Sequence, residues 1–248
     1  MKKIKAVIFD LDNCLAPADP ANGAAFGPVF EAIAEANNGF LSPQALAAAF
    51  AEFWRVPLDI IEERHRFSPE MKSAARAAYR QLRVTSPMSG YPDLPLLAEF
   101  RTAKFLVTTG FRRLQESKIE VLGIAREFEG VHIDEIDAID DSGRKGKIGL
   151  FSEILKKNRL DPEKALVVGD NPDSEIDAGN RLGIPTVQIL RPGIIPGGNA
   201  AFYVRNLAEL LEMVVDRSGP EAVPGNGPAL PGFLRRFGEM RFPPAPFV

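Results

Sequence analysis

The chain opens with a continuous apolar run, Ala6-Val7-Ile8-Phe9, that stops at Asp10. A short run that is apolar on both faces marks a strand covered on both sides, as in a parallel sheet. Similar runs recur at Phe105-Leu106-Val107, at Ala165-Leu166-Val167-Val168 and at Thr186-Val187-Gln188-Ile189-Leu190. Segments of helical periodicity lie between them. Leu114, Val121 and Leu122 share one face, and Ile148, Phe151, Ile154 and Leu155 share another. Strands alternating with helices of this length predict βαβ units and an α/β fold with a parallel sheet.

Residues 17–95 break that alternation and carry no strand pattern. Ser42-Pro43 reads as an N-cap followed by a first-turn proline, with Leu46, Phe50, Phe53 and Trp54 at helical spacing behind it. Ser68-Pro69 repeats the signal ahead of Met71, Ala74, Ala75, Ala78, Tyr79 and Leu82. An earlier helix carries Val29, Phe30 and Ile33 and ends at Asn37-Asn38-Gly39. A shorter one runs from Pro57 towards His65. The prediction is an all-helical insert between the first and second strands. Residues 219–248 hold seven of the 21 prolines and five glycines, a composition that opposes regular structure. Phe233, Phe237, Phe242 and Phe247 in that tail are suited to docking on the body or on a second chain.

Composition narrows the class. A chain of 248 residues, 45% hydrophobic, buries a full core without disulfides or metals. The single cysteine, Cys14, excludes an intramolecular disulfide and a multi-cysteine zinc module. A net charge of −3 without a basic stripe argues against nucleic acid as partner. The apolar run after Lys5 is too short for a signal peptide or a membrane span, so the expected setting is cytoplasmic, with no membrane partner.

The chemistry gathers where the strands end. Asp10 and Asp12 follow the first run, Thr108-Thr109-Gly110 closes the second, and Gly169-Asp170-Asn171-Pro172-Asp173-Ser174-Glu175 follows the third. Lys145 and Lys147 lie just ahead of the helix that precedes that third run. Ligand crevices of open α/β sheets lie at the carboxyl ends of strands. Several carboxylates plus a lysine suit a Mg²⁺ ion and a phosphoryl group.

In this arrangement the chain resembles the haloacid dehalogenase superfamily, of the phosphatase type with a helical cap after the first strand. Four motifs occur in order: Asp10-Leu11-Asp12-Asn13-Cys14, the strand ending in Thr108, Lys147 before its helix, and Gly169-Asp170 with Glu175. The likeness covers about residues 4 to 216. It implies a Rossmann-like core over 1–16 and 96–218, a cap over 17–95, and a tail, 219–248, outside the pattern. It further implies Asp10 as nucleophile, Asp12 as proton donor and then base, and Thr108 and Lys147 on the phosphoryl group. Thr109 and Gly110 would lie beside it as phosphate contacts. Mg²⁺ would be held by Asp10, by Asp12 through its carbonyl, and by Asp170, with Glu175 or Asp173 in the outer shell. The sequence departs from the usual pattern at Cys14, where Thr is common, at Thr109, where Asn is common, and at Glu175, where Asp is commoner.

The implied activity is hydrolysis of a small phosphomonoester through an aspartyl phosphate, since Asp12 answers the need of an alcohol leaving group for a proton. Sugar phosphates and nucleoside monophosphates are the expected substrate classes, and the chain is expected to be a monomer or homodimer. A sugar-phosphate mutase shares every core residue. A non-enzymatic receiver-like module shares the acids, hydroxyl and lysine but lacks the insert. The remaining polar residues have plainer expectations. Cys14 is a buried filler, His65 a solvated helix end, and His132 an edge or strand residue. Arg112 and Arg113 form a charged first turn of a helix. Asp134, Glu135, Asp137, Asp140 and Asp141 read as a solvated loop, Phe50 and Trp54 as insert core, and Lys145 as the alternative to Lys147.

Overall fold

A computed structural model describes residues 3–18, 26–53, 56, 58–84, 87–136, 145–197 and 199–214. The proline-rich tail, Trp54, Asp137, Asp140 and Asp141 lie outside the described residues. Six strands form one sheet: β1 (Ala6–Phe9), β2 (Ala103–Gly110), β3 (Gly130–Glu135), β4 (Ala165–Gly169), β5 (Thr186–Ile189) and β6 (Phe202–Val204). Their order is β3-β2-β1-β4-β5-β6, and every neighbouring pair runs parallel. The helices are α1 (Gly27–Asn37), α2 (Pro43–Glu52), α3 (Leu58–Arg64), α4 (Pro69–Gln81), α5 (Arg112–Leu122), α6 (Gly146–Lys157), α7 (Asp177–Arg181) and α8 (Leu207–Val214).

The four apolar runs are β1, β2, β4 and β5, the inner strands of the sheet. Period-two alternation divides their side chains between two apolar layers. Ala6, Ile8, Phe105, Val107, Ala165 and Val167 pack with Phe151 and Ile154 of α6. Val7, Phe9, Leu106, Leu166 and Val168 pack with Leu207 and Leu210 of α8 and with Leu97 and Phe100. The two strands that the pattern did not announce are the edges. β3 reads Gly-Val-His-Ile-Asp-Glu and leaves Val131 exposed. β6 is three residues long and leaves Phe202 and Tyr203 exposed. An edge strand is covered by fewer neighbours, so it needs no continuous apolar run.

The strand order reverses between β1 and β4, which opens a crevice beyond their carboxyl ends. Register sets what faces that crevice. Phe9 is level with Leu106 on one side and Val168 on the other. The chain therefore leaves β1 at Asp10 and β4 at Asp170 on the same edge, beside Thr108 near the end of β2.

The helices α1 to α4 all lie between β1 and β2, as the insert prediction requires. Ser42 and Ser68 cap α2 and α4 by accepting from the amides of Ala45 and Met71. Asn38 ends α1 in the left-handed conformation. The helices share a core of Val29, Ile33, Ala49, Ile61, Met71 and Ala75. Aromatic contacts continue it towards the sheet: Phe53 on Tyr79, then Tyr79 stacked on Phe111 at 4.6 Å. The chain touches the sheet-bearing part ahead of residue 96. The Val84 amide donates to Ser117 Oγ, and that of Tyr91 to the Leu15 carbonyl.

A buried arginine joins the segments around the crevice. Arg191, just past β5, donates Nε to the Cys14 carbonyl at 2.9 Å and Nη1 to Asp93 Oδ2 at 2.8 Å. Its guanidinium lies 4.2 Å over the Tyr91 ring. Asp93 Oδ2 also accepts from the Leu207 amide that begins α8. One cation thus fixes the loop after β1, the return from the insert, the end of β5 and the start of α8. Arg191→Met leaves the half-buried Asp93 carboxylate and the Cys14 carbonyl without their cation, and is expected to cost about 3 kcal/mol. Urea unfolding measures it, and a loss below about 1 kcal/mol would show that the clamp is peripheral.

Candidate active site

The loop after β1 begins as a continuation of the sheet. The Asp10 amide donates to the Val168 carbonyl of β4 at 2.9 Å. The chain then coils into one tight turn, in which the Leu11 carbonyl accepts from Cys14, Leu15 and Ala16. Asn13 sits at φ 54°, a conformation asparagine tolerates better than most residues, and its side chain accepts from the Ala18 amide. Cys14 packs under this turn with Sγ 3.7 Å from the Val168 carbonyl. Burial first, and then the charge of Asp10, push its thiol well above the ordinary value. A neutral, fully buried thiol matches the filler expected of it.

Continuing the alternation of β1, Asp10 falls on the side of Ala6 and Ile8, which is the side of α6. Lys147 in the first turn of α6 meets it there, with Nζ 2.6 Å from Asp10 Oδ1. The same ammonium donates to Glu175 Oε1, and Glu175 Oε2 accepts from the Asn171 amide. Glu175 folds back tightly over the end of β4. A Cβ on Gly169 would lie 2.6 Å from its Cγ, so only glycine fits there. Asp170 completes the cluster, its carbonyl held by Nε2 of the buried Gln188 on β5. Oxygens of Asp10, Asp170 and Glu175 all lie within 4.8 Å of one another.

Three carboxylates thus share one ammonium. Burial raises Asp10 well above the usual carboxylate range; Lys147 opposes the shift, and Glu175 and Asp170 add to it. Burial, then Glu175, raises Asp170 to about 7. Burial alone would lower Lys147, but Asp10 and Glu175 outweigh it and hold the ammonium above its ordinary value. Such a cluster carries more negative charge than its lysine balances. Its all-oxygen donors at this spacing fit one hard divalent cation.

Thr108 is buried, and its hydroxyl has no hydrogen-bond partner among the described residues. An unsatisfied buried hydroxyl at this edge fits an acceptor delivered by a ligand. Thr109 and Gly110, the expected phosphate contacts, have these neighbours. The Thr109 hydroxyl donates to Asp134 Oδ2 on β3 at 3.2 Å. Gly110 leaves room for the Gln115 side chain, whose Nε2 would lie 2.5 Å from a Cβ there.

The two acids proposed for the outer shell separate. Glu175 is buried on Lys147, whereas Asp173 is exposed, its amide donating to Asn171 Oδ1. Lys145, the alternative to Lys147, pairs with Glu153 at the surface. The Asp12 carboxylate stands outside the cluster and turns to α5, where Lys118 Nζ lies 2.7 Å from Oδ1 and Gln115 Nε2 lies 3.0 Å from Oδ2. Asp134 is buried and Glu135 pairs with Arg112, so this part of the acidic set is strand β3 rather than a solvated loop. His65 contacts Glu52 at 3.1 Å instead of ending in solvent, and His132 lies on edge strand β3 as expected.

Lys118, Gln115, Gln188 and Arg191 were not among the candidates. The first two, three apart on α5, lay off its predicted apolar face of Leu114, Val121 and Leu122. That face was misplaced, since Val121 is exposed while Gln115 and Lys118 are buried.

Among the described residues no helix is long and apolar enough to cross a membrane. The model of the haloacid dehalogenase-like hydrolase family matches residues 4–183. A glyceraldehyde 3-phosphate phosphatase of Methanopyrus kandleri is 32% identical over 205 residues, covering 76% of this chain and 84% of that protein. Solved structures share the fold. A HAD-hydrolase of Bacillus subtilis bound to magnesium has a TM-score of 0.58 at 15% identity, over 86% of this chain and 99% of its own. A haloacid dehalogenase-like protein of Streptococcus pneumoniae has a TM-score of 0.56 at 20% identity, over 86% and 99%. The chain is a hydrolytic enzyme, and it belongs to the haloacid dehalogenase-like hydrolase family.

Proposed function

We propose that this enzyme hydrolyses the phosphomonoester of a small sugar-type metabolite, with Asp10 as nucleophile and Mg²⁺ as cofactor. The observation that carries the reading is the buried contact of Lys147 with Asp10 and Glu175, set beside Asp170 at the switch point of the sheet. Asp10 attacks phosphorus as the bond from phosphorus to the leaving alcohol breaks, giving an aspartyl phosphate. Asp12 hands the alcohol its proton. Asp12 then takes a proton from the water that attacks phosphorus, and Asp10 and inorganic phosphate are released. Lys147 and the unsatisfied Thr108 hydroxyl hold phosphoryl oxygens and meet the charge that grows there.

Asp10, Asp170 and the Asp12 carbonyl would bind Mg²⁺, with Glu175 supporting them. The ion would screen the repulsion between carboxylate and phosphate. Residues 17–95 are read as a cap that selects the substrate. Glyceraldehyde 3-phosphate heads the proposed substrate panel, because the Methanopyrus kandleri relative is named as a phosphatase of that compound. Other sugar phosphates come next, then nucleoside monophosphates.

Purified protein is expected to release phosphate from a member of that panel only with Mg²⁺, and Asp10→Asn to lower the rate by at least about 10³-fold. Turnover without metal, or unchanged in Asp10→Asn, would refute the reading. Glu175→Gln is expected to raise the Mg²⁺ concentration needed for half-activation by about 10-fold or more. Asp173→Asn should leave it as it is, and the reverse pattern would assign the outer position to Asp173.

Metal also predicts a pH dependence of stability. Asp170 has an ordinary value of 3.8 and is raised to about 7 in the fold. Between those values the metal-free folded state binds more protons than the unfolded state, so stability falls as pH rises through this window. Asp10 acts in the same direction. Metal-free protein should therefore melt lower at about pH 8 than at about pH 5, and Mg²⁺ should raise Tm more at the higher pH. Asp170→Asn should shrink both differences. A Mg²⁺ effect on Tm that is equal at both pH values would count against this cluster as the metal site.

A further inference from the structure

The hydrolytic reading leaves two buried polar residues of α5 without a task. Lys118 is 2% exposed and Gln115 is 3% exposed. Placing an ammonium there is costly unless its partners are fixed. Lys118 has two: Asp12 Oδ1 at 2.7 Å, and the Ala18 carbonyl at 3.0 Å, where the chain leaves the β1 loop for the helical insert. Gln115 donates to Asp12 Oδ2 at 3.0 Å and to the Thr109 carbonyl at 3.3 Å. Gly110 clears the space that this amide occupies. Both oxygens of one carboxylate are therefore held from the same helix, by residues one turn apart. The other side of Asp12 stays open, since its side chain is 22% exposed.

A structural anchor for the loop would need only one of these bonds, and a backbone carbonyl would serve as its target. Two donors, one on each carboxylate oxygen, instead fix the plane and tilt of the carboxyl group. Each oxygen keeps a second lone pair for chemistry. Proton transfer requires that tilt to be right, because donor and acceptor must align within hydrogen-bond reach.

We infer that Lys118 and Gln115 are positioning residues that aim the Asp12 carboxyl group for proton transfer, an inference that rests on the phosphatase reading above. In the first step the Asp12 O–H bond breaks, its proton joins the leaving alkoxide oxygen, and the bond from phosphorus to that oxygen breaks as Asp10 bonds to phosphorus. In the second step a water proton returns to Asp12, the water oxygen bonds to phosphorus, and the Asp10–phosphorus bond breaks. Lys118 and Gln115 keep their own protons throughout.

The test uses leaving groups. p-Nitrophenolate departs without a proton, whereas an alkoxide does not. The specificity constant kcat/KM covers the steps up to release of the alcohol. It is measured for p-nitrophenyl phosphate and for glycerol phosphate in the full chain, Lys118→Met, Gln115→Met and Asp12→Asn, all saturated with Mg²⁺. Both α5 variants are expected to lose about 100-fold on the alkyl ester and no more than about 3-fold on the aryl ester. Lys118→Met added to Asp12→Asn should cost little more on the alkyl ester, because the group it aims is already gone. Equal losses on both esters, no loss, or full additivity with Asp12→Asn would overturn the assignment and leave a structural role. If Lys118→Met does not fold, as judged by circular dichroism, the same comparison of esters in Gln115→Met decides, since that change removes no charge. Failure of the phosphatase reading is seen separately, as absence of Mg²⁺-dependent turnover in the unaltered protein or indifference to Asp10→Asn, and it takes this inference with it.

Discussion

The contact between Lys147 and the buried carboxylates is the constraint around which the site is built. A carboxylate or an ammonium loses several kcal/mol of hydration on burial, and a misplaced partner does not restore it. Asp10, Glu175 and Lys147 are all buried, so their geometry has to be held from several directions at once. The local chain features answer that demand. Gly169 has no side chain, which lets Glu175 fold back onto the end of β4. The Asn171 amide engages the Glu175 oxygen that Lys147 leaves free. Gln188, buried within β5, holds the carbonyl of Asp170 with one end and the Gly197 amide with the other.

The sheet makes this possible by its order. Parallel strands send all their carboxyl ends to one edge, and the reversal between β1 and β4 keeps crossover helices from closing that edge. Acids after β1 and β4, a hydroxyl at the end of β2 and a lysine from the helix before β4 then meet without any long-range distortion. The insert leaves from the same edge, after the β1 loop that carries Asp12. Its aromatic core runs through Tyr79 to Phe111 at the start of α5, the helix that also carries Gln115 and Lys118. The helices that follow β1 and the side chains that grip Asp12 are therefore attached to one element.

What could be read from the sequence follows the same physics. Central strands covered on both faces announce themselves as unbroken apolar runs, so β1, β2, β4 and β5 were legible. β3 and β6 were not, because an edge strand tolerates His132 or an exposed Phe202 as readily as a loop does. The helical insert was legible from Ser42-Pro43 and Ser68-Pro69, whose serines do cap α2 and α4. The fold brings together Asp10, Lys147, Asp170 and Glu175, all named from the sequence, because residues next to strand ends and helix starts keep their place in space. Choosing Glu175 over Asp173 needed coordinates, since both follow Asp170 at workable spacing and only the turn after Asn171 decides which is buried. Thr109 and Gly110 were read as phosphate contacts because they adjoin Thr108. A strand sends consecutive side chains to opposite faces, so the Thr109 hydroxyl turns to Asp134 and only its backbone follows Thr108.

The remaining polar residues share a reason for being hidden. Lys118, Gln115 and Arg191 each satisfy a group more than 95 residues away in sequence: Asp12 for the α5 pair, Cys14 and Asp93 for Arg191. Nothing local distinguishes a buried lysine on a helix from a solvated one until its distant partner is known. The structure also contains features that are costly as they stand. The Thr108 hydroxyl is buried without a partner among the described residues, and three carboxylates crowd one ammonium. A fold selected only for stability would remove both, by an apolar residue at 108 or an amide at 170. On the proposed reading one pair of ligands would resolve them together: a divalent cation would offset the surplus negative charge, and a phosphoryl oxygen would accept from the hydroxyl. The surplus charge and the unpaired hydroxyl thus lie at the same strand ends, and both support the proposed reading of a metal-assisted phosphatase.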